Sequence, residues 1–274
     1  MEHVSVQGVE IPALGLGTAR MKGEECRTAV AEGLDLGYRH VDTAQMYDNE
    51  EMVGAAIAES DVDRDEVFLV TKVLRDNLAY DDLLRSVRGS LDRLGTEYVD
   101  LLLIHAPSRT VPVAESLRAM NELQDGGAVR HVGVSNFSVS QLREAIDASR
   151  TPILTNQVEY HPFHEQPDVL EFCIDNDVML TAYSPLNVGK GLSNETLREI
   201  GERHGKTPAQ VALRWLLQQP NVSAIPKSSR REHLRENLAV FDFELTDEEM
   251  ERIFELQGGL LTRIRTALGL RSSR

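Results

Sequence analysis

Three polar residues stand at the ends of successive apolar runs. Asp42 ends YRHVD, Lys72 ends VFLVTK and His105 ends YVDLLLIH. A buried carboxylate is unfavourable without a partner, and the neighbouring run supplies Lys72 as that partner for Asp42. Tyr47 follows five residues after Asp42, so an Asp–Lys pair would hold an ammonium beside its phenol. These four residues predict a site that transfers a proton.

The chemistry that suits these four residues is the reduction of a carbonyl group. An adjacent cation favours the phenolate form of a tyrosine, which makes Tyr47 a candidate general acid. His105 would donate a second hydrogen bond to the developing oxyanion. Protein side chains do not supply hydride, so a nicotinamide cofactor is required. Taken alone, Asp42 is equally well explained as part of a structural ion pair, and it is the set of four that favours catalysis.

Polar residues at the ends of later runs supply candidates for holding that cofactor. Asn136 and Gln157 would bind a carboxamide, and Tyr183 offers an aromatic face. Lys227 and Ser228 stand near the start of a helix, where barrels often bind phosphate. No GxGxxG fingerprint sits at a strand-to-helix turn, so a Rossmann unit is not expected. The strand ends also lack a cluster of His and Asp ligands, so we expect no metal site.

Short apolar runs alternate with amphipathic stretches along the whole chain. The predicted strands are 14–18, 38–42, 67–72, 98–105, 129–135, 153–157, 178–184 and 222–226. The predicted helices are 24–36, 49–59, 80–94, 113–125, 138–148, 166–176 and 207–218. Eight β–α units without an internal boundary indicate the α/β class and a closed (β/α)8 TIM barrel. We therefore expect one domain over residues 1–274.

Both ends of the chain add to this barrel. The stretch VSVQGVEIP predicts an N-terminal β-hairpin that closes at Gln7 and Gly8. Thr246 followed by Asp247, Glu248 and Glu249 is a capping signal that predicts an extra helix near the C-terminus. The last residues, 258–274, are basic and weakly amphipathic, and two alternatives stay open for them: a short helix or a flexible tail.

The composition limits the partners and the location. The chain has 44 acidic and 29 basic residues, a formal net charge of −15, so a phosphate backbone would be repelled and nucleic acid is excluded. No apolar run approaches the ~18 residues of a membrane span, and MEHVSVQGVEIPALG lacks the features of a signal peptide. The two cysteines are 147 positions apart and suggest no disulfide framework. We expect a cytoplasmic monomer without a membrane partner.

The acid excess has two interpretations. One is an ordinary soluble acidic enzyme. The other is adaptation to high salt in a halophile, where acidic residues keep a surface hydrated and salt screens their mutual repulsion. Lysine is scarce, as the second interpretation predicts, and the lysines are Lys22, Lys72, Lys190, Lys206 and Lys227.

Several stretches together carry a resemblance to a known family. They are LGLGT, YRHVDTAQMYDNEEMVG, FLVTK, DLLLIHAP, GVSNF, NQVEYHP, AYSPL and IPKSSRREHLRENL, in this order and over almost the whole chain. The chain resembles an aldo-keto reductase of the 2,5-diketo-gluconate or aldehyde reductase type. The resemblance implies a (β/α)8 barrel, NADPH-dependent reduction of aldehydes and ketones, and a catalytic tetrad of Asp42, Tyr47, Lys72 and His105. The cofactor contacts that it implies are Gly17, Thr18, Asp42, Ser135, Asn136, Gln157, Tyr183, Ser184, Leu186, Lys227, Ser228, Arg230, His233 and Asn237.

Departures from the family pattern affect the cofactor and the substrate. His233 stands where an arginine usually contacts the 2′-phosphate. Arg230 and Arg231 are close enough in sequence to compensate, and NADH remains an alternative to NADPH. Ala19 and Ala106 stand where tryptophans often wall the pocket. A wider and less aromatic pocket is therefore expected, which admits bulky or polar carbonyl compounds, with Met46 as a third candidate contact. The expected substrates are small carbonyl compounds or sugar-derived dicarbonyls. The alternative function is a nucleotide-binding regulatory protein on the same fold.

Overall fold

The N-terminal residues form a hairpin that precedes the main sheet. The computed structural model describes residues 2–189 and 191–257. Strands β1 (His3–Val6) and β2 (Val9–Pro12) pair antiparallel, and both turn residues between them have positive φ, 51° at Gln7 and 77° at Gly8. This confirms the predicted hairpin. The two alternatives for residues 258–274 fall outside the described part of the chain.

Eight parallel strands follow in chain order and form one curled sheet. They are β3 (Leu16–Gly17), β4 (His40–Asp42), β5 (Phe68–Val73), β6 (Val99–Ile104), β7 (Val129–Ser135), β8 (Ile153–Glu159), β9 (Met179–Tyr183) and β10 (Val222–Ala224). Each strand pairs with the next, because every predicted run is apolar enough to be buried on both faces. Leu14 also forms a parallel bridge with Ala224, and Gly17 N donates to Pro226 O at 3.1 Å. These bonds connect the first strand of the sheet to the last.

Helices separate the strands and cover the sheet. They are α1 (Gly23–Leu36), α2 (Glu50–Ala58), α3 (Tyr80–Leu94), α4 (Val113–Asp125), α5 (Val139–Ala148), α6 (Pro167–Asp175), α7 (Glu195–His204), α8 (Pro208–Leu217), α9 (Arg231–Leu238) and α10 (Asp247–Phe254). The capping box expected at Thr246 and Glu249 starts α10, so the extra C-terminal helix is present. None of the helices in the described ranges is long and apolar enough to cross a membrane.

Some predicted boundaries were wrong, for identifiable reasons. The first predicted strand, 14–18, shortens to two residues, although Gly15 N and Gly17 N on either side of Leu16 still donate to Ala224 O and Pro226 O. Helix α7 was not predicted, since it contains few apolar residues and only Leu197, Ile200 and Gly201 are buried. The last strand stops at Ala224, two residues before the predicted end.

The close approach of β3 to the last strand depends on a glycine. A Cβ at Gly17 would lie 2.6 Å from Ile225 O, a distance that real Cβ atoms essentially never show. The clashing atom is backbone, so a side chain at this position would force the two strand ends apart. Gly17 thereby sets the position of the loop that follows it, which runs alongside Asp42.

Candidate active site

A buried ion pair joins the ends of two neighbouring strands. Lys72 Nζ lies 2.5 Å from Asp42 Oδ1 and also donates to Thr43 O at 3.0 Å. Both charged side chains are fully buried, with 0% and 2% exposure. Burial lowers the pKa of Lys72, but the charges of Asp42 and then Tyr47 raise it by more, so the net shift is upward. Lys72 is therefore an ammonium at neutral pH, and the partner expected for Asp42 is present.

Tyr47 lies against this ammonium. It ends the 3-10 turn Gln45–Tyr47, which the chain forms directly after β4 and before α2. Lys72 Nζ donates to Tyr47 Oη at 3.3 Å and lies 4.8 Å from the centre of the phenol ring. Tyr47 is half-buried, and the Lys72 ammonium contacts its oxygen from the protein side.

His105 stands beside Tyr47 at the end of β6. Its backbone N–H donates to Val73 O at 3.1 Å, and its ring meets the Tyr47 ring edge-on with centroids 5.8 Å apart. Burial, and then the positive charge of Lys72, lower the pKa of His105 from 6.5 to about 4. The imidazole is neutral at pH 7. Its Nδ1 is buried and has no hydrogen-bond partner among the described residues.

A chain of hydrogen bonds connects the tetrad to the expected carboxamide-binding residues. Gln157 Nε2 donates to Asp42 Oδ2 at 2.8 Å. Ser135 Oγ donates to Gln157 O at 2.8 Å, and Asn136 Nδ2 donates to His105 O at 3.0 Å. Asn136 has a φ of 63°, the left-handed region that asparagine tolerates better than most residues. The structure thus brings these three polar residues to the site, as the sequence predicted.

Tyr183 closes this side of the site. Its hydroxyl donates to Asn136 Oδ1 at 2.9 Å, and burial, followed by the charges of Glu159 and Tyr47, raises the pKa of its phenol. Asn136 and Tyr183 both line a cavity of about 760 Å³ that extends towards α5 and α6. Ser184, with a φ of 49°, and the half-buried Leu186 continue the loop after β9.

The loop after β10 holds the expected phosphate-binding residues. Ser228 is buried, and its Oγ accepts from Arg230 N at 3.2 Å just before α9 begins. Lys227 is exposed, and its Nζ lies 3.7 Å from Glu25 Oε1. His233 is exposed on α9, whereas Asn237 is buried on the same helix. These residues lie on the same edge of the sheet as the tetrad, because they also follow the carboxyl end of a strand.

The loop after β3 and the flanks of Tyr47 complete the set of predicted residues. Thr18 donates to Asp42 O through both its N–H and its Oγ1, each at 3.0 Å. Ala19 and Ala106 are half-buried, and Met46, beside Tyr47, is 60% exposed. No group of three or more His, Cys, Asp or Glu side chains suited to a metal ion occurs in residues 2–189 and 191–257.

Two further residues, which the sequence did not single out, fix the segment that carries Tyr47. Gln45 Oε1 accepts from Leu74 N at 3.0 Å, and its Nε2 donates to Ser90 Oγ at 3.0 Å. Asn49 Oδ1 accepts from Thr43 Oγ1 at 2.6 Å, while its Nδ2 donates to Thr18 O at 2.9 Å. Both belong to the polar run TAQMYDNE between a strand and a helix. That polarity was the feature of the sequence from which their role could have been predicted.

Helix α2 starts with a buried charge that anchors it. Glu50 is 2% exposed, and its Oε1 accepts from Thr71 Oγ1 at 2.5 Å. Its Oε2 accepts from Arg93 NH2 at 2.6 Å. Because Thr71 precedes Lys72 on β5, this contact ties the helix after Tyr47 to the strand that carries the lysine. The arrangement as a whole presents a cation-supported phenol and a neutral imidazole to one opening.

Comparisons with known proteins agree with this geometry. The model of the family described as "Aldo/keto reductase family" matches residues 13–257. A glyoxal reductase of Bacillus subtilis (strain 168) is 41% identical over 247 residues, covering 90% of this chain and 89% of that protein. A 9,11-endoperoxide prostaglandin H2 reductase of Trypanosoma cruzi (strain CL Brener) is 42% identical over 252 residues, covering 90% and 88%. A crystal structure provisionally described as 2,5-diketo-D-gluconic acid reductase B is 50% identical with a TM-score of 0.92, covering 94% of this chain and 92% of that one.

Proposed function

Because the chain belongs to the aldo/keto reductase family, we propose that it is an NAD(P)H-dependent oxidoreductase that reduces aldehydes and ketones to alcohols. The observation that carries the proposal is the Lys72 ammonium, which contacts Asp42 at 2.5 Å and Tyr47 at 3.3 Å. The relatives named glyoxal and methylglyoxal reductase support small carbonyl and dicarbonyl compounds as substrates. We further propose that the enzyme is a cytoplasmic monomer.

In this mechanism Tyr47 is the general acid. A nicotinamide cofactor held at this site would supply hydride to the carbonyl carbon. Tyr47 gives its phenolic proton to the carbonyl oxygen, and the Lys72 ammonium stabilises the phenolate that remains. Asp42 holds that ammonium in place. The neutral His105 donates from Nε2 to the same oxygen, a tautomer that leaves a lone pair on the buried Nδ1 rather than an unpaired N–H.

The residues at the site suit a nicotinamide nucleotide. Gln157 Oε1 accepts no hydrogen bond from the residues that the structure describes and is free to accept one from a carboxamide. Asn136 and Ser135 would supply the other amide contacts, and the Tyr183 ring would stack on the nicotinamide. Ser228 and Lys227 would hold the 2′-phosphate of NADPH, and Asn237 would face the adenine.

Replacing Lys227 by Ala is expected to raise the dissociation constant of NADPH by roughly 10- to 100-fold, the range for losing a hydrogen bond to a charged group. The dissociation constant of NADH should stay within about twofold, since NADH lacks the 2′-phosphate. Titration of tryptophan or cofactor fluorescence measures both constants. Glu25→Gln is the matched control: it removes the ion-pair partner of Lys227 and should not weaken NADPH binding. Equal changes for both cofactors would disprove the 2′-phosphate contact.

The low pKa of His105 predicts a pH-dependent contribution to stability. Folding lowers this pKa from 6.5 to about 4, so the folded state disfavours the protonated ring. The stability that the neutral His105 ring contributes to the folded state is fully present above pH 6.5. It is lost as the pH falls from about 6.5 to about 4. Between those values the free energy of unfolding of the wild type should decrease more than that of His105→Gln. Chemical denaturation at closely spaced pH values measures both, and parallel curves would contradict the expectation.

The first test of the function is consumption of NADPH, and then NADH, with glyoxal, methylglyoxal and 4-nitrobenzaldehyde. Turnover supports the reductase, and tight cofactor binding without turnover of any aldehyde would favour the regulatory alternative. Running each assay in dilute buffer and in molar KCl also separates the two interpretations of the acid excess. Full activity and stability in dilute buffer would rule out salt adaptation.

A further inference from the structure

The contact between Tyr47 and the Lys72 ammonium needs support from outside the pair. The ammonium lies 2.5 Å from Asp42 and 3.0 Å from Thr43 O, whereas its distance to Tyr47 Oη is 3.3 Å. This last distance exceeds the roughly 2.7–3.2 Å that is usual for an N–H···O hydrogen bond, so the contact alone does not hold the phenol in place. The position of the general acid therefore depends on the segment that carries it, residues 45–50.

Gln45, the first residue of this segment, bonds to the chain just beyond Lys72. Its Oε1 accepts from Leu74 N at 3.0 Å, directly after β5 ends at Val73, and from Asn77 Nδ2 at 3.3 Å. The Leu74 N–H belongs to the backbone only two residues after the lysine. Gln45 thereby connects the start of the tyrosine-bearing segment to the end of the lysine-bearing strand.

Glu50, the last residue of the segment, bonds to the same strand just before Lys72. Glu50 is buried, and its Oε1 accepts from Thr71 Oγ1 at 2.5 Å. Its other oxygen, Oε2, accepts from Arg93 NH2 at 2.6 Å. The segment that carries Tyr47 is thus attached to the lysine-bearing strand on both sides of the lysine.

A serine on α3 connects these two attachments. Ser90 is fully buried, and its Oγ accepts from Gln45 Nε2 at 3.0 Å and from Arg93 NH2 at 3.2 Å. Since Arg93 also holds Glu50, the hydrogen bonds form a closed ring through Gln45, Ser90, Arg93, Glu50 and β5. Moving the Tyr47 turn away from β5 would have to break at least one of these bonds.

We propose that Gln45 is a positioning residue for the general acid, whose side chain sets the distance between Tyr47 Oη and Lys72 Nζ and thereby the rate of the chemical step. Gln45 lines a cavity of about 710 Å³ between α2 and α3, and the described residues that line it include no member of the tetrad. The side chain therefore acts through Tyr47 and not by contact with a substrate. A misplacement of about 1 Å can slow a reaction roughly 100-fold. This inference rests on the proposed reductase function and adds a residue to the same site.

The test compares Gln45→Leu with Gln45→Glu in single-turnover reactions, in which the complex of enzyme and NADPH is mixed with methylglyoxal. Gln45→Leu removes both the donor and the acceptor and should lower the rate constant roughly 10- to 100-fold. The methylglyoxal concentration at half the maximal rate and the dissociation constant of NADPH should stay within about twofold, since no binding contact is lost. A carboxylate still accepts from Leu74 N and can accept from the Ser90 hydroxyl, so Gln45→Glu should stay within about threefold of the wild-type rate.

Gln218→Leu is the matched control. Gln218 is also half-buried, and its amide also bonds to the backbone of a distant segment, with Oε1 accepting from Leu245 N at 2.9 Å and Nε2 donating to Leu245 O at 2.7 Å. Its replacement should lower the free energy of unfolding, as that of Gln45 does, and should leave the rate constant unchanged. This comparison separates a loss of stability from a displaced tyrosine.

Ser90→Ala tests the same ring without changing the tyrosine segment and serves if Gln45→Leu does not fold. It removes the acceptor of Gln45 Nε2 and should lower the rate constant roughly 3- to 10-fold. Ser86→Ala is its control, because Ser86 Oγ donates to Leu83 O within α3. Equal rates in the two serine variants would overturn the inference.

Three results with the glutamine variants would also overturn it: an unchanged rate constant in folded Gln45→Leu, the same loss in Gln218→Leu, or a loss that Gln45→Glu does not recover. Weaker binding of methylglyoxal at an unchanged rate constant would instead place Gln45 in substrate binding, which contradicts the proposal. If the wild type reduces none of the aldehydes, the proposed function fails, and the inference fails with it.

Discussion

Replacing Tyr47 by Phe is expected to lower kcat by roughly 10²- to 10⁴-fold, the range for removing a general acid. The hydroxyl is the only group removed. The ring that packs edge-on against His105, with centroids 5.8 Å apart, and that lies 4.8 Å from Lys72 Nζ remains in place. The dissociation constant of NADPH should therefore stay within about twofold, and the free energy of unfolding should change little.

Single-turnover kinetics, in which enzyme already bound to the cofactor is mixed with aldehyde, measures the chemical step. A fluorescence titration measures cofactor binding. His105→Gln is a useful comparison, because it removes the second donor to the oxygen and keeps the tyrosine. If Tyr47→Phe retains most of the wild-type rate, the general acid must be another group. An equal loss of rate and of cofactor binding would instead mean that the hydroxyl shapes the site.

The convergence of the tetrad followed from the chain order of the strands. Asp42 ends β4, Lys72 is the last residue but one of β5, and His105 directly follows β6. The carboxyl ends of such consecutive parallel strands meet at one edge. The ion pair between Asp42 and Lys72 could be predicted for the same reason, since an unpaired carboxylate there would be strongly unfavourable. The roles that we assign to these residues in catalysis stay predictions until the variants are measured.

Contacts that join distant parts of the chain could not be predicted in this way. Gln157 donates to Asp42 across 115 positions, and Gln45 bonds to Leu74 through a side chain whose direction the sequence does not fix. Helix α7 also escaped prediction, because Leu197 and Ile200 are its only large apolar side chains and the rest of its ten residues are mostly polar. Local patterns determine strands and polarity, whereas side-chain direction depends on the assembled fold.

Breaking the ion pair between Asp42 and Lys72 is expected to destabilise the protein by about 3–5 kcal/mol in each single variant, Asp42→Asn or Lys72→Met, because a buried charge loses its partner. The two side chains are at most 2% exposed, so water does not replace the lost contact. The double variant removes both charges, and its loss in free energy of unfolding should fall below the sum of the single losses by up to about 3 kcal/mol. Denaturant unfolding of the four proteins gives this cycle.

In the same four proteins, catalytic activity should not recover together with the free energy of unfolding. Without the ammonium, Tyr47 loses the donor that lies 3.3 Å from its oxygen, so the double variant should be as inactive as Lys72→Met even where its stability recovers. Arg85→Met with Asp82→Asn is the matched control pair, because that ion pair lies on the exposed face of α3 and should leave both stability and activity almost unchanged. A double variant that regained turnover along with stability would show that Lys72 serves the fold alone. Additive losses of stability would show that the two charges do not depend on each other.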